Sequence, residues 1–182
     1  MNASENSHIP VLAVDGLCFR YPERALFRGW SARIASGVTL LLGGDGSGKT
    51  TLLRLLAGAL AADAGELQVL GTPLKDAPDA YRREVFWADP RSDAHEQVSA
   101  FEYFKSLRDI YPRFDEQRVG ELVLGFSLTP HLDKPLYMLS TGSKRKVWMA
   151  AAFASNAAVT LLDDPFAALD KPSIAFVSQV LK

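Results

Sequence analysis

The sequence offers little sulfur chemistry. Cys18 is the one cysteine in 182 residues, so no internal disulfide can form and no thiolate metal cluster can be built. A lone thiol fits a reducing compartment, and Cys18 reads as a small apolar filler of a packed interior. Charge of one sign is also missing. Twenty Lys and Arg against 21 Asp and Glu leave a net charge of −1. No global field draws the chain to nucleic acid or to an anionic membrane. No apolar run approaches the ~18 residues needed to cross a bilayer. Residues 1–10 are polar, lack the basic-then-apolar pattern of a secretion signal, and read as a flexible tail. Neither an internal repeat nor a low-complexity tract is present.

What is there suits one globular domain. The chain is 48% hydrophobic and 23% charged, which excludes a disordered polymer. A chain of this length buries ~70% of its unfolded surface without covalent staples. Residues 11–21 and 26–34 read as strands around the turn Pro22-Glu23-Arg24. Val38 to Leu42 is a continuous apolar run bounded by glycines, which predicts a strand buried on both faces. A helix is expected over 49–60, a strand over 66–70, a short helix over 77–83 and a strand over 84–88, closed by Asp89-Pro90. Residues 99–129 are helical in pattern and richer in charge, an inserted helical subdomain. A helix over 140–154, a strand over 159–162 and a helix over 173–181 complete the chain. Alternating strands and helices predict an α/β domain with a mostly parallel sheet. Ligands of such sheets sit at the carboxyl ends of the strands.

Gly43-Gly44-Asp45-Gly46-Ser47-Gly48-Lys49-Thr50 matches G-x-x-x-x-G-K-[ST] in full, between an apolar run and a helix start. The glycines let backbone N–H groups turn toward one point, and the helix N-terminus adds its partial positive charge. Lys49 can reach β and γ phosphates, and the Thr50 hydroxyl can ligand Mg²⁺. Asp163, after the apolar strand Val159-Thr160-Leu161-Leu162, can hold the same ion. An Asp after a strand is also a common turn residue. The run Lys144-Arg145-Lys146 reads as a solvated helix face rather than a nucleic-acid contact. Phe101, Tyr103 and Phe104 suit either a helical core or a partner contact.

The chain resembles the ATP-binding subunits of ABC transporters. Leu139-Ser140-Thr141-Gly142-Ser143 is similar to the family signature, and Asp163 follows Ser140 by 23 residues, the family's interval. Asp163-Asp164-Pro165-Phe166 resembles the family's box after the metal-binding aspartate, and Ala168-Leu169-Asp170 resembles its D-loop. Tyr21 resembles the aromatic residue that stacks on adenine. The likeness runs from about Val11 to Lys182. It implies a P-loop NTPase-type core with N-terminal antiparallel strands and a helical subdomain over about 92–138, in one domain over 11–182. It implies ATP and Mg²⁺ as ligands. Nucleotide would be bound by Tyr21, residues 43–50 and Thr51, with Ser140 and Gly142 facing the γ-phosphate held by a second ATP-binding domain. Thr50, Asp163 and Asp89 would hold the metal, and Lys49 and Asp164 would serve hydrolysis. The partners implied are a transmembrane permease and a second copy or a related chain, on the cytoplasmic face of the cell membrane.

The sequence departs from the family pattern in three places. Asp164 stands where the family has a catalytic glutamate and is one methylene shorter, which predicts slow hydrolysis. Asp89 stands in place of a glutamine, which predicts tighter dependence on Mg²⁺. The family's switch histidine would follow the D-loop, but His8, His95 and His131 all precede it, so the chain reads as C-terminally truncated. These departures keep open a module that binds ATP and hardly hydrolyses it. A non-transport ATPase of the same superfamily is the other alternative.

Overall fold

A computed structural model describes residues 10–89 and 92–182. Most of the expected N-terminal tail, residues 1–9, and Pro90 of the Asp89-Pro90 turn lie outside the described residues. The chain divides into two compact units, Met1–Val85 and Phe86–Lys182.

In the first unit, β1 (Leu12–Tyr21) and β2 (Arg24–Ile34) form an antiparallel hairpin closed by the pair Tyr21 and Arg24. A bulge between Val14 and Leu17 resets the register. Residues three apart face opposite sides of a regular strand; the extra residue lets Val14 and Leu17 both enter the core. From there the period of two puts Leu17, Phe19 and Tyr21 on one face. Phe19 and Tyr21 meet edge to face with centroids 5.0 Å apart. Cys18 falls on the other face. It is half-buried rather than an interior filler, and its Sγ accepts the Gly29 N–H at 3.1 Å.

The helix α1 (Lys49–Leu56) is shorter than its apolar pattern predicts. Gly58 sits at φ +65°, in the left-handed region, and ends it. The next N–H groups, of Ala59 and Leu60, return to the Arg54 carbonyl at 3.0 and 3.1 Å. Strands β3 (Ala64–Val69) and β4 (Thr72–Pro73) extend the hairpin into a sheet of order β2-β1-β3-β4. On α2 (Pro78–Arg83), Tyr81 is fully buried and donates its hydroxyl to the Leu56 carbonyl at 2.7 Å, satisfying an open end of α1.

The expected strand over 38–42 does not form. No described ladder includes these residues, and Val38, Leu40 and Leu42 are 71, 77 and 80% exposed. An apolar run records a demand for burial; a strand also needs hydrogen-bonding partners on its edges, and this segment has no ladder.

In the second unit, β5 (Val85–Trp87), which begins at the boundary, pairs with β6 (Val159–Leu161) in a two-stranded parallel sheet. The long crossover between them holds α3 (Ala100–Leu107), α4 (Glu116–Gly125) and α5 (Thr141–Ala154). Ser99 and Glu102 cap α3 reciprocally, at 3.2 and 2.8 Å. The Asp115 carboxylate caps α4. Tyr103 and Phe104 are buried in the core, as one of the two readings of the aromatic run has it, and Phe101 is exposed. α5 is the centre of this unit. Val147, Ala150, Ala151 and Ala154 are fully buried, and the alanines let neighbours approach closely. The chain continues into α6 (Lys171–Val180), whose Phe176 ring packs on Gly125 of α4; a methyl group there would overlap the ring.

Candidate functional site

The phosphate loop lies in the first unit. Gly48 begins α1 with φ +99°, a conformation open to glycine, and no side chain caps the helix there. The first turn also carries no acidic residue, so its N–H groups and partial positive charge remain suited to an anion. Ser47 donates its N–H to the Gly44 carbonyl at 3.2 Å and tightens the turn. At one point the loop folds on itself. A Cβ at Gly43 would lie 2.5 Å from Ser47 Oγ. Lys49 folds back over the loop and donates from Nζ to the carbonyls of Gly43 at 2.7 Å and Gly44 at 2.9 Å. The ammonium is thus held at the loop mouth by weak neutral acceptors that a phosphate would outcompete.

The hairpin tip reaches the same loop from its two strands. Tyr21, the last and half-exposed member of the Leu17–Phe19–Tyr21 row, places its hydroxyl 3.3 Å from Thr51 Oγ1. Its pairing partner Arg24 donates from Nη1 to the Gly46 carbonyl at 3.0 Å. The first unit therefore brings together Tyr21, residues 43–49 and Thr51. It adds Arg24, which the linear motif does not contain. The signal for it was the hairpin register, which pairs a cation with the aromatic residue.

The other candidates lie in the second unit. Ser140 begins α5, and its Oγ accepts the Ser143 N–H at 3.1 Å. Gly142 lies under the D-loop. A Cβ there would come within 2.5 Å of the Ala168 carbonyl oxygen, so the signature glycine is required by packing inside this unit. Asp163 and Asp164 follow β6. Asp164 adopts φ +53°, left-handed backbone that Asp tolerates better than most residues. Asp89 follows β5, and its carbonyl accepts the Ser92 N–H at 3.0 Å. Among the described residues, no three His, Cys, Asp or Glu side chains gather as a metal-binding group. A Mg²⁺ site here would therefore rely on nucleotide phosphates for ligands, as such sites commonly do.

The basic run is not a solvated face. Lys144 pairs with Glu96 at 2.6 Å, both about one-fifth exposed. Arg145 turns inward and donates to the carbonyls of both Asp163 and Asp164. Lys146 pairs with Asp170 at 2.7 Å. Asp170 also caps α6 by accepting the Ser173 N–H at 2.9 Å. The bond from Lys146, with those from Ser173, holds the Asp170 carboxyl well below the usual carboxylate range. Three consecutive cations thus tie α5 to three separate segments. Their partners lie 18 to 48 residues away in the chain, where no local pattern could name them. The His95 ring meets Tyr103 at 4.9 Å, and His131 Nδ1 is buried without a hydrogen-bond partner among the described residues.

Comparison with known proteins places this arrangement in a family. The ABC transporter family profile matches residues 29–167. The cytochrome c biogenesis ATP-binding export protein CcmA of Salmonella typhi is 36% identical over 154 residues, which span 84% of this chain and 73% of that protein. The protein of the same name from Escherichia coli is 33% identical over 164 residues, spanning 90% and 77%. Among solved structures, an ATP-binding subunit of an ABC transporter superposes with a TM-score of 0.79 at 22% identity, covering 93% of this chain and 72% of that one. A nucleotide-free ATP-binding cassette from an ABC transporter gives 0.73 at 20% identity, covering 94% and 76%. At such identities these two likenesses speak for the fold. Together with the matched profile and the relatives, they show that the chain belongs to the ABC transporter family, as an ATP-binding subunit.

Proposed function

We propose that this chain binds Mg²⁺-ATP at residues 43–50 and that closure of a head-to-tail dimer of such domains around ATP energises an ABC-type membrane transporter. The observation that carries this is the loop around Lys49: a glycine turn, an uncapped helix N-terminus, and an ammonium resting on two carbonyls. These residues fit a polyphosphate. Thr50 and Asp163 would hold Mg²⁺, with Asp89 as a further oxygen donor, and the ion would offset charge on the β and γ phosphates. Tyr21 would stack on adenine. Asp164 would polarise the attacking water. Ser140 and Gly142 would approach the γ-phosphate held by the second domain. The permease partner lies in the membrane; among the described residues no helix is long and apolar enough to cross one. The relatives' names support a transporter of the cytochrome c biogenesis export class, and complementation of a bacterium lacking its own such protein tests that reading.

A second function is supported by Asp164. Its short side chain on left-handed backbone favours a domain that closes on ATP and hydrolyses it slowly. The deciding experiment measures ATP binding and turnover of the purified chain, with Lys49→Ala as the blank. Binding and turnover above the blank support the motor. Binding without turnover supports the slow module. No difference from Lys49→Ala in either assay refutes both.

A further inference from the structure

The phosphate loop carries an electrostatic handicap. Within residues 43–50 the charged side chains are Asp45 and Lys49, which cancel. A carboxylate in a loop that receives a polyphosphate opposes the ligand at close range. The compensating charge comes from the hairpin. Arg24 pairs with Tyr21 across the two-residue turn and donates from Nη1 to the carbonyl of Gly46, the residue after Asp45, at 3.0 Å. Lys49 occupies the carbonyls of Gly43 and Gly44. Three loop carbonyls are thereby held by cations.

The two cations differ in what binding asks of them. Lys49 must leave its carbonyls to reach a phosphate. Arg24 need not move, because its acceptor is not required by the ligand. A peptide group is rigid and planar, so fixing the Gly46 carbonyl fixes the tilt of the Gly46–Ser47 peptide. It also keeps that oxygen, a negative dipole end, on the guanidinium and away from an entering anion. Arginine suits the task because its charge is permanent and its N–H groups are rigidly aimed.

The geometry points to Arg24 as a nucleotide-positioning residue. It holds the phosphate loop in its receiving shape at Gly46 and restores the positive charge that Asp45 cancels. The role presupposes that the loop binds ATP. It serves the diphosphate part common to ATP and ADP and is independent of hydrolysis.

The test is calorimetric binding of Mg²⁺-ATP and Mg²⁺-ADP to the full chain, the second of which cannot turn over. Arg24→Ala is expected to weaken both ligands about tenfold, the scale of one charge-assisted hydrogen bond. The melting temperature without nucleotide should stay unchanged, because Arg24 is exposed. Arg24→Lys should recover part of the affinity. Asp45→Asn in the Arg24→Ala background should recover part of it independently, because it removes the charge Arg24 offsets. If Arg24→Ala binds both nucleotides normally while Lys49→Ala does not, the role of Arg24 is refuted and the ATP site stands. If Lys49→Ala also binds normally, the ATP site itself is refuted. If Arg24→Ala lowers the melting temperature and neither Arg24→Lys nor Asp45→Asn recovers affinity, Arg24 is a structural strut and the inference is overturned.

Discussion

The guanidinium of Arg145 donates to the backbone of Asp164, the residue proposed to polarise the attacking water, and to that of Asp163 before it. Asp164 is held at φ +53° under this contact. The backbone that carries its carboxylate is thus held by a side chain that approaches from α5, the helix begun by Ser140. Signature helix and carboxylate loop are one mechanical piece within the second unit.

Arg145→Met retains the apolar stem and removes the donors. Turnover of ATP should fall about 100-fold, the penalty for ~1 Å of misplacement at a reacting group, with ATP affinity within about twofold of the parent. Adding Arg145→Met to Asp164→Asn should cost little more, since both act through one carboxylate. Steady-state kinetics on the two single variants and the double variant checks this. Multiplicative losses would show that Arg145 acts on something else.

Asp164→Glu sets two effects against each other. The added methylene extends the carboxylate, and turnover should rise about tenfold or more. The left-handed backbone accepts Asp more readily than Glu, and stability should fall by about 1 kcal/mol. Turnover together with urea unfolding separates the two. Unchanged turnover would mean that reach does not limit this residue.

The legible parts of the molecule were those whose physics is local. The phosphate loop is eight consecutive residues matched by spacing alone, and the structure sets its Gly48 at the start of α1 and its Lys49 over the Gly43 and Gly44 carbonyls. Tyr21 was named through the family resemblance and not from strand alternation; the structure sets it at the end of the buried Leu17–Phe19 row, its hydroxyl 3.3 Å from Thr51 Oγ1. Helices were expected from 99 and from 140 by pattern, and in the structure Ser99 and Ser140 cap them. Arg145 and Lys146 were not, because helix periodicity tells which residues share a face and nothing of what faces them. Three adjacent charges looked like a solvated run, although each had a distant partner. The apolar run 38–42 misled for a related reason: hydrophobicity reports what a segment needs, and ladder pairing depends on strands elsewhere in the chain. The left-handed backbone at Asp164 has no sequence signature beyond the residue type that tolerates it.

Gly142 tests packing against chemistry. In Gly142→Ala the new methyl group would sit 2.5 Å from the Ala168 carbonyl, a backbone atom that cannot swing aside as a side chain would. Unfolding stability should drop by about 1–3 kcal/mol, the range of an overpacked interior. Denaturant unfolding of the isolated chain without nucleotide measures this directly. A stability equal to the parent's would show that the D-loop backbone yields, leaving any loss of function to be assigned to contacts with nucleotide.

Asp170 gives the chain an acid-sensitive joint. Lys146 and Ser173 stabilise its ionised form, so its folded pKa lies below the unfolded value of about 3.9. A depressed carboxylate contributes stability above its unfolded pKa and loses it as pH falls from there through its folded pKa. Asp170→Asn keeps a side chain able to cap α6 and removes the ion pair. The parent should therefore be the more stable at pH 7, and its advantage should shrink as pH falls below about 4. Urea midpoints of the two proteins between pH 7 and pH 2.5 check the sign. An advantage that does not change with pH would show that the Lys146 contact, despite its 2.7 Å length, adds nothing beyond the cap.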